Sequence, residues 1–234
     1  MFSMRRKKRN KSLMARKLVT VSDAKSIPSE QFRTIRTNIK FAQPNQDVKT
    51  ILVTSSIPGE GKSTNAANIG VVFSQEEKKI LIVDADMRKP TLHHTFHLAN
   101  SVGLSSILSR QEKFIDVIQK TFVEGIDIVA SGPIPPNPTE LLASETMISF
   151  MAIAKEKYDI VIFDAPPLLF VSDAQILSNK CDGTLLIVNS GAVGKAAVLK
   201  SKSILTISQA NILGIVLNNF KMKRNMYDQY YGIE

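Results

Sequence analysis

Short, mostly apolar runs recur along the chain at residues 51–54, 80–83, 126–130, 160–163, 183–188 and 212–217. Each is too short for a buried helix and is bounded by Gly, Pro, Asn, Asp or Ser, which reads as a strand. Between them lie segments with helical spacing of apolar positions, at 62–74, 104–108, 115–120, 139–142, 146–156, 173–178 and 195–208. Strands that are apolar throughout, rather than alternating, belong to a sheet covered on both faces. Their alternation with helices predicts an α/β fold with a mostly parallel sheet and helices on both sides. Upstream, residues 29–41 read as a helix with Phe32, Ile35 and Ile39 on one stripe, Ser29 as N-cap, and Pro44 and Asn45 as its end. Stretches 88–101 and 131–138 are loop-rich, and periodicity disappears after residue 220.

Composition narrows the class. At 234 residues and 44% hydrophobic, the chain fits one full domain, expected at 25–220, with a basic flexible arm at 1–24 and a tyrosine-rich flexible tail at 221–234. No apolar run approaches the roughly 18–20 residues that span a bilayer. No apolar stretch follows the basic N-terminus, so a secretory leader is not expected. A single cysteine, Cys181, excludes an internal disulfide and suits a reducing compartment. A soluble, cytoplasmic protein is the expectation. The net charge is +9, and Arg5, Arg6, Lys7, Lys8, Arg9, Lys11, Arg16 and Lys17 crowd the first residues. That run reads either as a solvated tail or as an arm that approaches anionic lipid or an acidic partner. Nucleic acid is not expected, because no aromatic platform or reading module accompanies the charge.

Three of the strand ends carry chemistry. Ser56-Ile57-Pro58-Gly59-Glu60-Gly61-Lys62-Ser63-Thr64 matches the phosphate-binding P-loop, with Ser in the place of the first Gly. Such a loop, opening a helix, aims backbone N–H groups and the helix dipole at phosphate oxygens. Gly59, Glu60, Gly61, Lys62, Ser63 and Thr64 are therefore the candidate ATP-binding residues. Lys62 should reach the β- and γ-phosphates, and the Ser63 hydroxyl should ligate Mg2+. Asp84-Ala85-Asp86-Met87-Arg88 ends the second strand and Asp164-Ala165-Pro166-Pro167 the 160–163 strand. Asp84 and Asp86, two apart, can point the same way, and crowded carboxylates call for a cation such as Mg2+. Asp84, Asp164 and Ser63 are the candidate metal ligands, and the fold class becomes a P-loop NTPase.

With these motifs, and with Glu30-Gln31-Phe32-Arg33-Thr34-Ile35-Arg36 and the cluster Tyr227, Tyr230 and Tyr231, residues 25–234 resemble the bacterial tyrosine kinases of capsule and exopolysaccharide systems. That family is built on a P-loop ATPase rather than a eukaryotic kinase fold. The resemblance implies an ATP- and Mg2+-dependent protein-tyrosine kinase that phosphorylates its own tail, across subunits, and other proteins. It implies Lys62, Asp84, Asp86, Asp164 and Arg88 as the catalytic set. Asp86 is then the first candidate to accept the tyrosine proton and Asp84 the second, with Arg88 stabilising the transferring phosphoryl group. Glu30, Arg33 and Arg36 would make contacts in a homo-oligomeric ring, although their spacing alone favours pairing within one helix. Implied partners are a membrane adaptor of the polysaccharide co-polymerase type, which activates the kinase at the inner face of the membrane, and an opposing phosphotyrosine phosphatase.

The residues themselves leave other readings open. Septum-site and partition ATPases share the motifs but carry a signature lysine five positions before the P-loop lysine, where this chain has Ile57. A non-kinase ATPase switch of that type is the alternative, and a scaffold ordered by ATP is a third. The tyrosines speak for the kinase. Three of the four in the chain stand among Asp228, Gln229, Gly232 and Glu234, where no apolar face asks for aromatics. His93, His94 and His97 lack a companion Glu or Cys and read as surface or loop residues, and Cys181 as a core filler. Asn218 and Asn219, ending the last strand, would contact an adenine base or cap a turn.

Overall fold

The computed structural model describes residues 18–43 and 47–220. Each predicted apolar run forms a strand: β1 (Thr50–Ser55), β2 (Ile80–Asp84), β4 (Ile126–Val129), β5 (Ile160–Asp164), β6 (Gly183–Asn189) and β7 (Ile212–Asn218). They pair in parallel, and with the short β3 (Ile118–Lys120) at one edge the seven-stranded sheet has the order β3-β4-β2-β5-β1-β6-β7. The pleat sorts their side chains. Ile51, Val53, Ile80, Ile82, Ile160, Ile162, Leu185 and Ile187 enter one core, covered by α1 (Val19–Ser22), α2 (Ile27–Ala42), α3 (Lys62–Ser74) and α4 (Leu92–Phe96). Leu52, Leu81, Val83, Val161, Phe163, Leu186 and Val188 enter the other. That second core is roofed by α5 (Leu104–Leu108), α6 (Phe114–Val117), α7 (Pro138–Ala143), α8 (Glu145–Lys157), α9 (Asp173–Lys180) and α10 (Lys195–Ile207). Burial on both faces is why β1, β2, β4, β5 and β6 carry no polar alternation, whereas β7 at the edge leaves Ile215 and Leu217 exposed.

Local departures from the sequence reading have identifiable causes. The segment 115–120 is not one helix: after Val117 the chain turns extended as β3 (Ile118–Lys120), antiparallel to β4 with Ile118 opposite Val129. Three residues are too few to display a strand period, and the free edge of β4 recruits them. Ser29 does not cap α2. Ser26 does, accepting from the Ser29 N–H at 3.4 Å, and Pro28 occupies the first turn, where its missing N–H costs nothing. The buried Ser29 hydroxyl donates instead to the Asp23 carbonyl at 2.7 Å.

Packing also begins earlier than residue 25. Leu18 and Thr20 are buried, and Thr20 donates through both N–H and hydroxyl to Asn68 Oδ1 on α3, at 3.1 and 2.8 Å. The loop-rich stretch 88–101 contains α4. Residues 1–17, which hold most of the basic arm, the expected helix stop at Pro44 and Asn45, and the tail 221–234 lie outside the described residues. No helix among the described residues is long and apolar enough to cross a membrane.

One carboxylate fixes the entry of β1. Asp182 Oδ2 accepts from the Thr50 N–H at 2.8 Å, the Thr50 hydroxyl at 2.9 Å and the Lys49 N–H at 3.1 Å, while Oδ1 accepts from Lys155 at 2.8 Å. Burial alone would raise the Asp182 carboxyl; the Lys155 and Thr50 donors overcome it and hold it below the usual range. A depressed carboxyl contributes stability above its unfolded-state pKa of about 4 and loses it as pH falls through the folded value. Asp182→Ala should therefore cost about 1–2 kcal/mol at pH 7. The deficit should shrink on titration to pH 3, as read by urea midpoints at both pH values.

Candidate active site

Parallel register gathers the three motifs. β5 lies between β1 and β2 and pairs Asp164 with Asp84 across one strand boundary and with Val53 across the other. The loop after β1 therefore starts beside both carboxylates, at the C-terminal ends of the strands, where open α/β sheets place ligands. The proline loop after β5 is tied down there. Thr54 donates through its hydroxyl to the Pro166 carbonyl at 2.8 Å, and Leu168 and Leu169 donate their N–H groups to Ser55 and Ser56 at 2.9 and 3.2 Å.

The loop itself needs its glycines. Gly59 and Gly61 have φ of 86° and 91°, and a Cβ on Gly61 would fall 2.3 Å from Asn218 Nδ2. Gly61 is also the N-cap of the thirteen-residue α3 and offers no side-chain cap, so the leading N–H groups and the dipole of the helix face the loop. Small residues, an uncapped helix start and a lysine at its first position are the parts a phosphate requires.

Charge is concentrated beside that loop. Lys62 Nζ lies 2.8 Å from Asp86 Oδ2 and 3.4 Å from Asp164 Oδ1, and all three side chains are nearly buried. Burial pulls the Lys62 ammonium down, but the Asp164 and Asp86 carboxylates outweigh it and hold it above its ordinary range. Asp84, fully buried and facing Asp164, is pushed up to about 7 by burial and by that neighbour, against the Leu92 and Thr91 N–H groups that it accepts. Full burial likewise raises Asp164, against the pull of Lys62. Asp164 Oδ2 has no hydrogen-bond partner among the described residues.

This donor set fits a small hard cation shared with phosphate oxygens. Ser63 and the free oxygen of Asp164 are available to it, whereas both Asp84 oxygens already accept from backbone: Oδ1 from Asp86, Oδ2 from Thr91 and Leu92. The described residues contain no group of three His, Cys, Asp or Glu that could hold a metal alone, and His93, His94 and His97 form no such site. Cys181 is buried in the core.

Two candidate residues stand apart from this cluster. Glu60 does not turn its side chain to the loop's inner face: its carboxylate is buried and accepts from the N–H groups of Ile57 and Asn189 at 2.8 and 2.9 Å. Arg88 is engaged by Asp173, with Nε to Oδ2 at 2.9 Å and Nη2 to Oδ1 at 3.1 Å, and by the Thr139 hydroxyl at 3.0 Å. Asp173 carries no signal in the sequence beyond an acid at a helix start, and only the approach of α7 and α9 identifies it as the anchor. Asn218 Nδ2 donates to the Glu60 carbonyl at 2.8 Å, and Asn219, with φ of 56°, bonds Asn189.

On α2, Glu30 pairs with Arg33, while Arg36 turns inward to Glu76 at 3.2 Å and to the Val72 carbonyl at 2.6 Å. Tyr227, Tyr230 and Tyr231 lie outside the described residues.

Comparison with known proteins places the chain. A protein-family model described as an AAA domain matches residues 48–198. Over 226 residues the chain is 45% identical to tyrosine-protein kinase YwqD of Bacillus subtilis (strain 168), covering 97% of this chain and 95% of the relative. It is 36% identical to tyrosine-protein kinase CpsD of Streptococcus agalactiae serotype III, over 81% of each. Among solved structures, the chimerical protein CapA2B2 superposes with a TM-score of 0.85 at 43% identity, covering 88% of this chain and 90% of that one.

The carboxylate pair gives a signed prediction. Asp84, titrating near 7 when folded, binds more protons folded than unfolded between about pH 4 and 7, so ligand-free stability is lost as pH rises through 7. Asp84→Asn removes that loss. Relative to the parent, the variant should gain stability between pH 6 and pH 8 by on the order of 1 kcal/mol, about 3 °C in melting temperature. A parent-to-variant difference that is the same at both pH values would contradict the assignment.

Proposed function

The chain belongs to the bacterial tyrosine-protein kinases, and from that membership we propose that it transfers the γ-phosphoryl group of ATP to Tyr227, Tyr230 and Tyr231 of its own C-terminal segment. The observation that carries this reading is the Lys62–Asp86–Asp164 cluster set against a glycine-bearing loop at the start of α3. Phosphoryl transfer asks a protein mainly for positioning and charge stabilisation, and a loop, a lysine and a base meet that demand.

In this reading the N–H groups of residues 59–64 hold the β- and γ-phosphates, and Lys62 moves its charge from the carboxylates onto the γ-phosphate oxygens. Ser63 and Asp164 would hold Mg2+, with Asp84 behind them, and the ion supplies neutralisation of phosphate charge. Asp86 accepts the proton of the attacking tyrosine hydroxyl as the oxygen–phosphorus bond forms and the bond to ADP breaks. Its Oδ1 already accepts the Lys89 N–H at 3.0 Å, which fixes the carboxylate, while Oδ2 faces Lys62. Asp84 is worse placed as a base, because both of its oxygens are held by backbone. Arg88, bound to Asp173 and Thr139, is assigned the task of anchoring the segment that follows Asp86.

The proposed setting is control of capsular or extracellular polysaccharide synthesis, at the inner face of the membrane, with a membrane adaptor as activator and a phosphotyrosine phosphatase as opponent. A ring of subunits would bring one tail to a neighbour's site. Within it, Glu30 and Arg33 remain open for contacts between subunits, whereas Arg36 is committed to α3 and Glu76 of its own chain.

Mass spectrometry of the 227–231 peptide after incubation with ATP and Mg2+ tests the reading, with and without the cytoplasmic peptide of a candidate adaptor. Phosphotyrosine should form in the wild type and be absent in Lys62→Met and Asp86→Asn. ATP turnover over an unmodified tail, with the adaptor peptide present, would replace the kinase by an ATPase switch.

A further inference from the structure

Glu60 presents a problem of charge. A carboxylate inside a loop that receives a triphosphate repels its ligand, yet this side chain is 1% exposed and no ion pair joins it to a cation among the described residues. Its contacts are geometric. Oε2 accepts the Ile57 N–H at 2.8 Å, across the loop's own turn, and Oε1 accepts the Asn189 N–H at 2.9 Å, at the end of β6. The Glu60 carbonyl in turn accepts from Asn218 Nδ2 at 2.8 Å, at the end of β7. Asn218 also lies over Gly61, close enough to admit only a glycine there. Only a carboxylate can accept from both N–H groups at once, since an amide would present a donor to one of them.

We propose that Glu60 and Asn218 are positioning residues for the nucleotide: they clamp the outer half of the phosphate loop to the ends of β6 and β7, and so hold its N–H groups in the geometry that binds phosphate. Asn218 then acts through the loop rather than by reading the base. The clamp also joins the phosphate loop to the strand that leads, two residues later, into the tyrosine-bearing segment.

Glu60 can act in this way only if residues 56–64 bind nucleotide, so the wild type is the reference. ATP and inorganic tripolyphosphate are titrated by calorimetry into the wild type, Glu60→Gln, Asn218→Ala and the double variant. The autophosphorylation rate of each is measured at saturating ATP. Each single variant should raise the Kd for both ligands about tenfold and in parallel, the expected scale for one lost charged or loop-bracing hydrogen bond. The double variant should be weaker by less than the product of the two, and the saturated rate of Asn218→Ala should stay within about threefold of the wild type. Unchanged affinity in both variants overturns the clamp. So does an Asn218→Ala protein that loses ATP but keeps tripolyphosphate, which would make Asn218 a base contact. If Glu60→Gln does not fold, Asn218→Ala decides alone. A wild type that binds neither ligand overturns the nucleotide reading itself, an outcome distinct from equal binding by wild type and variants.

Discussion

Two carboxylates face each other across a strand boundary, buried away from bulk solvent. Asp84 and Asp164 are opposite in the β2–β5 register, and both are fully buried. In such surroundings like charges raise one another's pKa and demand a cation. Lys62, the first residue of α3, answers from the end of the loop that follows β1, and Asp86 shares it. The loop, the helix start and both acidic motifs are therefore parts of one electrostatic unit. Its stability cost is the kind that functional sites carry and cores avoid.

The rest of the fold supplies the rigidity that this arrangement needs. Strands buried on both faces fix the register, so the strand ends cannot drift relative to one another. Side chains then lock the loops above them: Thr54 holds the proline loop, Asp173 holds Arg88, and Glu60 holds the phosphate loop to β6. None of these residues needs to touch a phosphate. Each holds in place a loop that borders the site.

The helix α2 shows how a motif can divide. Glu30, Arg33 and Arg36 are evenly spaced, yet Arg36 reaches across to α3 and Glu76 while Glu30 and Arg33 pair on the exposed side. Spacing along a helix specifies a face. Which members of that face meet another helix depends on how the two pack.

Much of this protein could be read directly from the chain. The apolar runs gave the parallel strands because burial on both faces leaves no polar alternation, and the P-loop, the DxDxR segment and Asp164 declared themselves by position after those strands. What the sequence could not decide was neighbourhood. That β5 inserts between β1 and β2, bringing Asp164 against both Lys62 and Asp84, follows from strand order, which local patterns do not encode. The short β3 appeared only because β4 had an open edge, and the cap of α2 moved to Ser26 because Pro28 fits the first turn. The Glu60 side chain is held by the Ile57 and Asn189 N–H groups, and the Arg88 side chain by Asp173, an acid that no local motif singles out. In each case the side chain's role was set by a hydrogen-bond partner distant in sequence, and only folding brings such partners within reach.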